Sequence, residues 1–120
     1  MNRRSILSII VLILSLLFLF SCDKELENVQ VTPSFIKVAQ TGGFYEIDVR
    51  ANCAWSSSIM YKDDISGYIS LNKTSGNGNE TIQLTIAQNS ATSRNCIIEF
   101  YTQEANTPQS SVSIIQEGVQ

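Results

Sequence analysis

The residues best equipped to hold a small molecule lie between positions 61 and 68. Tyr61 and Tyr68 flank an irregular loop that also carries the adjacent carboxylates of Asp63 and Asp64. Exposed aromatic rings can stack on a sugar ring, while a few polar groups fix its orientation. Two carboxylates are too few for calcium, which takes about six to eight oxygen ligands. The loop is therefore a candidate glycan-binding site, with a plain solvated loop as the alternative.

Catalysis is difficult to build from this composition. None of the 120 residues is a histidine, so the commonest general base and a common metal ligand are missing. Glycoside hydrolysis needs two carboxyl groups about 5–5.5 Å or about 6.5–9.5 Å apart in a cleft. The carboxylates here fall mainly on outward strand positions or in loops. We therefore expect a protein that is not an enzyme, with no cofactor and no metal.

The start of the chain has the composition of an export signal. Arg3 and Arg4 precede an apolar run from Ser5 to Phe20, and a charged segment follows Cys22. A membrane-spanning helix needs about 20 apolar residues, whereas a shorter run behind positive charge and before a small residue is typical of a secretory signal peptide. Residues 1–21 are therefore predicted to be a helical signal peptide.

The junction Leu19-Phe20-Ser21-Cys22 resembles the lipobox of bacterial lipoproteins, although Phe20 is bulkier than the usual residue. The resemblance implies that Cys22 becomes the first mature residue and carries diacylglycerol and a fatty acid such as palmitate. Two or more acyl chains, at about 0.8 kcal/mol per buried methylene, hold a protein firmly on a membrane. The charges after Cys22 resemble the surface-export signal of Bacteroidetes lipoproteins, which implies a surface-exposed outer-membrane protein. An ordinary signal peptide is the alternative.

The mature chain is long enough for one domain. We assign 22–28 to a lipidated tether and 29–120 to the domain. Because Arg3 and Arg4 belong to the leader, the rest carries six basic and eleven acidic residues, a net charge of −5. Nucleic-acid binding is not expected, since it requires a basic face.

Hydrophobic periodicity in the domain is that of strands. Apolar residues alternate with polar ones in the segments that include Tyr45 to Ala51, Ile82 to Ile86, Cys96 to Phe100 and Val112 to Gln116. This period of two indicates half-buried strands. Pro33 interrupts the first strand, which suits an edge because proline cannot donate to the ladder. The pattern predicts an all-β, immunoglobulin-like antiparallel β-sandwich of about seven strands.

Three polar or aromatic residues are predicted to serve the core rather than a ligand. Trp55 lies on an inward strand position, where a buried indole is favoured over a sugar platform. Arg94 is expected to tie a loop to carbonyl groups or an acidic neighbour, and Gln116 to bond the main chain beside the last strand.

Cys53 and Cys96 are expected at opposite ends of the sandwich. Their Cα atoms would then lie farther apart than the about 4.4–6.8 Å that a disulfide requires, so free buried thiols are favoured.

The mature chain resembles the BACON domain of Bacteroidetes proteins from about Val29 to Gly118. The matching segments, in order, are Thr32-Pro33-Ser34, Gly42-Gly43, Asn52 with Trp55, Ser75-Gly76-Asn77-Gly78, Asn89 to Arg94 and Gln116-Glu117-Gly118. The family usually has a second tryptophan where this chain has Tyr68. The resemblance implies an immunoglobulin-like fold and either of two roles.

The first role is glycan or mucin binding through Tyr61, Asp63, Asp64 and Tyr68. The second is a structural spacer or a protein-interaction domain of a surface complex, without glycan binding. In either role the membrane is a partner through the lipid.

Overall fold

Nine β-strands and no helix make up residues 26–119, the part of the chain that the computed structural model describes. The strands are β1 (Val29–Thr32), β2 (Phe35–Val38), β3 (Gly43–Ala51), β4 (Ala54–Tyr61), β5 (Ile69–Leu71), β6 (Ser75–Asn77), β7 (Glu80–Ile86), β8 (Arg94–Thr102) and β9 (Ser110–Gln116). This range contains no helix long and apolar enough to cross a bilayer. The predicted signal peptide, the predicted lipidation site Cys22 and the first part of the tether lie outside the described residues.

The strands form two sheets that pack face to face. The four-stranded sheet has the order β1-β3-β7-β5, and the five-stranded sheet has the order β2-β9-β8-β4-β6. Every neighbouring pair is antiparallel except β2 and β9, which are parallel. The prediction of an all-β, immunoglobulin-like sandwich is confirmed.

Pro33 divides the predicted first strand between the two sheets. Before it, β1 pairs with β3 through Val31 and Val49. After it, β2 pairs with β9 through Ile36 and Ile114. Both strands lie at sheet edges, where a missing N–H donor breaks no ladder between two neighbours. This division adds one strand to the predicted number.

The other additional strand lies in a segment that the sequence assigned to a turn. The segment Ser75–Asn77 is rich in serine, glycine and asparagine, which favour turns. It nevertheless pairs with β4, with Gly76 opposite Trp55. The absence of a side chain at Gly76 lets the strand pass over the indole ring, since a Cβ atom there would lie 2.6 Å from Cζ2 of Trp55.

Two-residue alternation places the apolar side chains between the sheets, because successive strand residues face opposite sides. In β7, Ile82, Leu84 and Ile86 are buried, while the polar residues that alternate with them are exposed. The remaining buried apolar residues are Val29, Val31, Ile36, Val38, Ile47, Val49, Trp55, Tyr68, Ile69, Cys96, Ile98, Phe100, Val112 and Ile114. Each large side chain stabilises the fold by about 1.5–3 kcal/mol relative to exposure.

The described chain enters the sandwich at the end of β3. The backbone N–H of Asn28 donates to Oδ1 of Asn52 at 2.8 Å, and Nδ2 of Asn52 donates to the carbonyl of Leu26 at 2.8 Å. Val29 then pairs with Ala51, the last residue of β3. Asn52, one of the residues that carried the family resemblance, therefore fastens the start of the domain.

Candidate functional site

The two tyrosines of the predicted glycan loop do not form an open platform. Their rings meet at a tilt of 60°, with centroids 5.1 Å apart. Tyr68 is only 5% exposed, and the Arg94 guanidinium lies 3.9 Å from its ring centroid. Tyr61 is half-buried, and its hydroxyl donates to the carbonyl of Ile69 at 3.3 Å. Burial leaves Tyr68 no ring face for a sugar, which corrects its predicted place in the site.

The adjacent carboxylates Asp63 and Asp64 form the tip of a tight turn. Their φ angles are 60° and 57°, and the Ile65 N–H donates to the Lys62 carbonyl at 3.3 Å. Positive φ at both central residues defines a type I′ turn, which aspartate tolerates better than most residues. Both side chains are exposed, and no three metal-binding side chains cluster anywhere in the described range. The turn thus projects two solvated carboxylates.

Replacing Asp64 by glycine is expected to stabilise the protein by about 0.5 kcal/mol. Glycine adopts the left-handed conformation without a steric penalty, which outweighs the larger entropy of the unfolded chain. The midpoint of thermal unfolding should therefore rise. Ser66→Gly is the control, because Ser66 lies in the same loop but not at positive φ, and it should lower the midpoint. A lower midpoint for Asp64→Gly would contradict the assignment of strain to this turn.

Trp55 belongs to the core rather than to a binding surface. It is 2% exposed and packs against Phe100 with ring centroids 5.7 Å apart. Its Nε1 donates to the carbonyl of Gly78 at 3.0 Å, so the polar end of the indole is satisfied. The indole therefore fastens the segment around β6 to the sandwich.

Arg94, which is half-buried, and the buried Gln116 form one hydrogen-bond network at the opposite end of the sandwich. Nε of Arg94 donates to Oε1 of Gln116 at 2.8 Å, and its terminal nitrogen donates to the carbonyls of Ala87 and Gln88. The Gln116 side chain is completely buried. Its amide nitrogen donates to the carbonyls of Ala39, Gln40 and Ala87 at 3.2, 3.3 and 2.8 Å. The network joins β9 to the ends of β2 and β7.

Asn89 and Gly118 close the same end. Nδ2 of Asn89, which is 1% exposed, donates to the carbonyls of Thr92 and Glu117 at 2.8 and 3.1 Å. A Cβ atom on Gly118 would collide with the backbone of residues 91–93. These two segments, which carried part of the family resemblance, thus lie at a structural joint of the sandwich.

Burial raises the pKa of the Tyr68 phenol above its ordinary value of 10.0, and the neighbouring Cys96 thiol adds to the rise. The hydroxyl lies beside the Cys96 thiol, which is a weak hydrogen-bonding group, and it has no other partner within the described residues. The unfolded chain therefore loses this proton at a lower pH than the folded chain does. The protonated Tyr68 phenol therefore contributes its full stabilisation to the folded state below about pH 10. This contribution is lost as the pH rises from there through the pKa that Tyr68 has in the folded protein.

Tyr68→Phe is therefore expected to flatten the alkaline loss of stability. At neutral pH the change should stay within about 1 kcal/mol, since the hydroxyl has no partner stronger than the Cys96 thiol. Urea unfolding at pH 7 and at rising alkaline pH measures both effects. Tyr101→Phe, which removes a phenol hydroxyl from the outer face of β8, is the matched control. Identical profiles for Tyr68→Phe and the wild type would contradict the prediction.

The remaining cysteines are free, as favoured from the sequence. Cys96 pairs with Tyr61 at one end of β4, whereas Cys53 precedes the other end of that strand. Eight strand residues separate these positions, a distance of about 26 Å. Cys96 is buried, and its pKa is raised by burial, but Cys53 is only half-buried. The prediction of two buried thiols is therefore right for Cys96 alone.

A candidate site that the sequence reading missed lies on the outer face of the four-stranded sheet. We call it the β3–β7 platform; it consists of Phe44, Glu46, Ser70, Gln83 and Thr85. Phe44 is 84% exposed and pairs with Thr85, which pairs in turn with Ser70. Glu46 pairs with Gln83 in the next row. Phe44, Glu46, Gln83 and Thr85 line a shallow depression together with Tyr45.

The polar groups of the β3–β7 platform are free to bind. Within residues 26–119, the side chains of Glu46, Gln83 and Thr85 form no hydrogen bond or ion pair. Asp48, one row further along β3, is instead held by Arg50 at 3.2 Å and approached by the Thr81 hydroxyl at 3.5 Å. A bulky aromatic on the polar side of an alternating strand was the available sequence signal for this site.

The described residues define a small immunoglobulin-like sandwich that carries an exposed aromatic on a polar sheet face. The chain belongs to the BACON family, whose model, described as "Putative binding domain, N-terminal", matches residues 55–117. The match begins at Trp55 and ends at Glu117, so it covers the Asn89-to-Arg94 turn and Gln116 but not β1 to β3. None of the curated proteins matches the chain.

Solved structures with similar folds come from several classes of protein. The GH5 xyloglucanase of Bacteroides ovatus, in complex with a XXXG heptasaccharide, has a TM-score of 0.64 and 14% identity over 78% of this chain and 19% of that chain. The periplasmic chaperone SfaE has a TM-score of 0.58 and 8% identity over 78% and 59%. A protein from Bacteroides thetaiotaomicron has a TM-score of 0.51 and 12% identity over 82% and 93%. At these identities the similarity shows the fold alone.

Proposed function

We propose that this protein is a non-catalytic carbohydrate-binding module held at the surface of a bacterial outer membrane by lipid on Cys22. The observation that carries the binding role is the β3–β7 platform. A single exposed phenylalanine is ordinary on a protein surface. Phe44, however, stands beside free carboxylate, amide and hydroxyl groups on one sheet face. A pyranose offers the matching surfaces, an apolar ring face and a rim of hydroxyls.

Two comparisons support a carbohydrate ligand. The family is described as a binding domain, and a similar sandwich occurs in a xyloglucanase that was solved with a heptasaccharide. This chain spans 19% of that enzyme, so the enzyme's activity is not carried over. A xyloglucan oligosaccharide is a suitable first probe, beside mucin-type glycans.

A glycan array on the full-length protein in detergent tests the proposal. We expect binding to at least one class of oligosaccharide, competed by the free sugar. Binding to no glycan on the array, together with recovery of a protein partner by crosslinking in intact cells, would contradict it and support the second candidate below.

The anchor is supported by the sequence around Cys22. Metabolic labelling with palmitate should modify the wild type and not Cys22→Ser, while Cys53→Ser should be labelled like the wild type. Palmitate incorporation that survives Cys22→Ser would contradict lipidation at this residue.

Protease treatment of intact cells should remove the domain if it faces the medium, and protection from protease would contradict surface exposure.

Absence of catalysis is proposed from the chemistry of the platform. The sequence contains no histidine, and Glu46 lacks a free carboxyl partner because Asp48 is paired with Arg50. Two cooperating carboxyl groups in a cleft are the usual requirement for glycoside hydrolysis, and the platform is an open sheet face. Incubation with xyloglucan should therefore release no reducing ends. Release that is lost in Glu46→Gln would contradict the proposal.

A second candidate function is protein interaction through the outer face of the five-stranded sheet. Phe35, Ser113, Ile97 and Met60 are aligned across four strands, and Phe35 and Met60 are 52% and 55% exposed. Ile115, 39% exposed, lies in the next row. This row, apolar except for Ser113, suits a protein partner better than a sugar. Loss of crosslinks in Phe35→Ala or Met60→Ala would support this role, and unchanged crosslinks would contradict it.

A further inference from the structure

The free groups of the β3–β7 platform restrict the ligand that it can accept. Among Glu46, Gln83, Thr85 and Ser70, the Glu46 carboxylate is the single charged group, and it has no cationic partner in the described range. The nearest cation along β3 is Arg50, two rows beyond Glu46, and its Nε is occupied by Asp48. The platform is therefore locally negative.

A carboxylate accepts hydrogen bonds through two oxygens, so Glu46 can accept one hydrogen bond from each hydroxyl of a vicinal diol. Gln83 can donate and accept beside it, and Thr85 and Ser70 can do the same in the row of Phe44. An acidic sugar would instead bring a second negative charge against Glu46, with no cation on the platform to neutralise it. The platform is thus expected to favour neutral over acidic sugars, because like-charge repulsion excludes the acidic ones while hydrogen bonds hold the neutral ones.

The size of the platform limits how much of a glycan it contacts. Two outward rows along β3 span about 7 Å, and three strands across β3, β7 and β5 span about 10 Å. This area accommodates about two sugar rings, one stacked on Phe44 and one over Glu46 and Gln83. A longer chain would extend over Asp48 and Thr81, whose polar atoms already face one another.

We propose that the β3–β7 platform binds a short neutral stretch of glycan, rich in vicinal hydroxyls, and rejects sialylated, sulfated or uronic-acid glycans. This inference rests on the proposed carbohydrate-binding function and names the ligand class of the same site. For a mucin-type ligand, it selects the desialylated form. For a plant polysaccharide, it selects neutral chains over pectin-like ones.

Paired glycans that differ by one acidic group provide the test, with the full-length protein in detergent. The probes are a mucin-type oligosaccharide with and without sialic acid, and a galactan oligosaccharide with and without sulfate. We expect the neutral member of each pair to bind about tenfold more tightly or better at low salt. Affinity should rise from a monosaccharide to a disaccharide and change little beyond a trisaccharide.

The variant Glu46→Gln separates repulsion at the site from the overall charge of the protein. It should weaken binding of the neutral probe several-fold and reduce the discrimination against the acidic one. Glu99→Gln makes the same change in net charge on the outer face of the five-stranded sheet, and it should leave both affinities unchanged. Equal effects of the two variants, or an acidic probe bound as tightly as its neutral partner, would overturn the inference while leaving carbohydrate binding in place. Binding to no member of either pair would overturn the inference and count against carbohydrate binding itself.

Discussion

Gln116→Ala is expected to lower the free energy of unfolding by about 3–5 kcal/mol, the largest effect of any substitution considered for this domain. The side chain is fully buried and donates to three carbonyls while accepting from Arg94. Alanine would leave Nε of Arg94 without its acceptor and remove one of the two donors from each carbonyl, since Ala39, Gln40 and Ala87 each keep one other donor. It would also add a small cavity. Each buried polar group without a partner costs about 1–3 kcal/mol, and the loss of one network member weakens the others.

Denaturation by urea, followed by the fluorescence of the single tryptophan, Trp55, measures this loss in protein expressed without residues 1–21. Gln103→Ala, an exposed position in the turn after β8, should change stability by less than about 0.5 kcal/mol. Gln116→Glu keeps the acceptor for Arg94 but aims a second oxygen at the carbonyls of Ala39 and Ala87, so it should also destabilise strongly. A loss below about 1 kcal/mol for Gln116→Ala would show that water replaces the amide at little cost.

Phe44→Ala is expected to weaken glycan binding by about tenfold or more, with a change in stability below about 0.5 kcal/mol. The ring is 84% exposed and packs little against the domain, so its removal leaves no cavity. In a complex it would instead be the apolar centre of the site, the kind of position that dominates binding energy. Loss of binding without loss of stability is therefore the distinguishing result.

Phe35→Ala is the matched control, because Phe35 is also an exposed strand phenylalanine but lies on the opposite sheet. It should leave glycan affinity unchanged. Titration calorimetry with the best ligand from the array measures both variants. Glycan binding that is lost in Phe35→Ala and kept in Phe44→Ala would place the site on the five-stranded sheet and contradict the β3–β7 platform.

Sequence patterning was sufficient for the sandwich and its core. In β7 and β8 the period of two assigns Ile82 and Ile98 to the inside without knowledge of their partners, because one side of each strand faces water and the other does not. The parallel pairing of β2 with β9 could not be read this way. Which strand lies beside which is decided by tertiary packing of residues far apart in the chain.

The candidate site was less accessible from the sequence, for a physical reason. Tyr68 follows a glycine at the end of a polar loop, where exposure is the natural expectation. In the structure, however, Arg94 covers its ring from a strand that comes 26 positions later, and Tyr61 packs against it as well. Phe44, by contrast, lies on the polar side of an alternating strand, but one aromatic there is not distinctive until the neighbouring strand supplies Gln83 and Thr85.

The fastening of residues 26–28 to Asn52 has a consequence for the direction in which the domain faces. The chain enters beside Ala51, whereas Phe44 lies at the opposite end of the same strand, about 24 Å away. An attachment of the chain before residue 26 would therefore hold the end of the domain that is remote from Phe44. If the protein is held on a membrane through Cys22, as proposed, a bulky polymer could reach Phe44 from the opposite end of the domain without meeting that membrane.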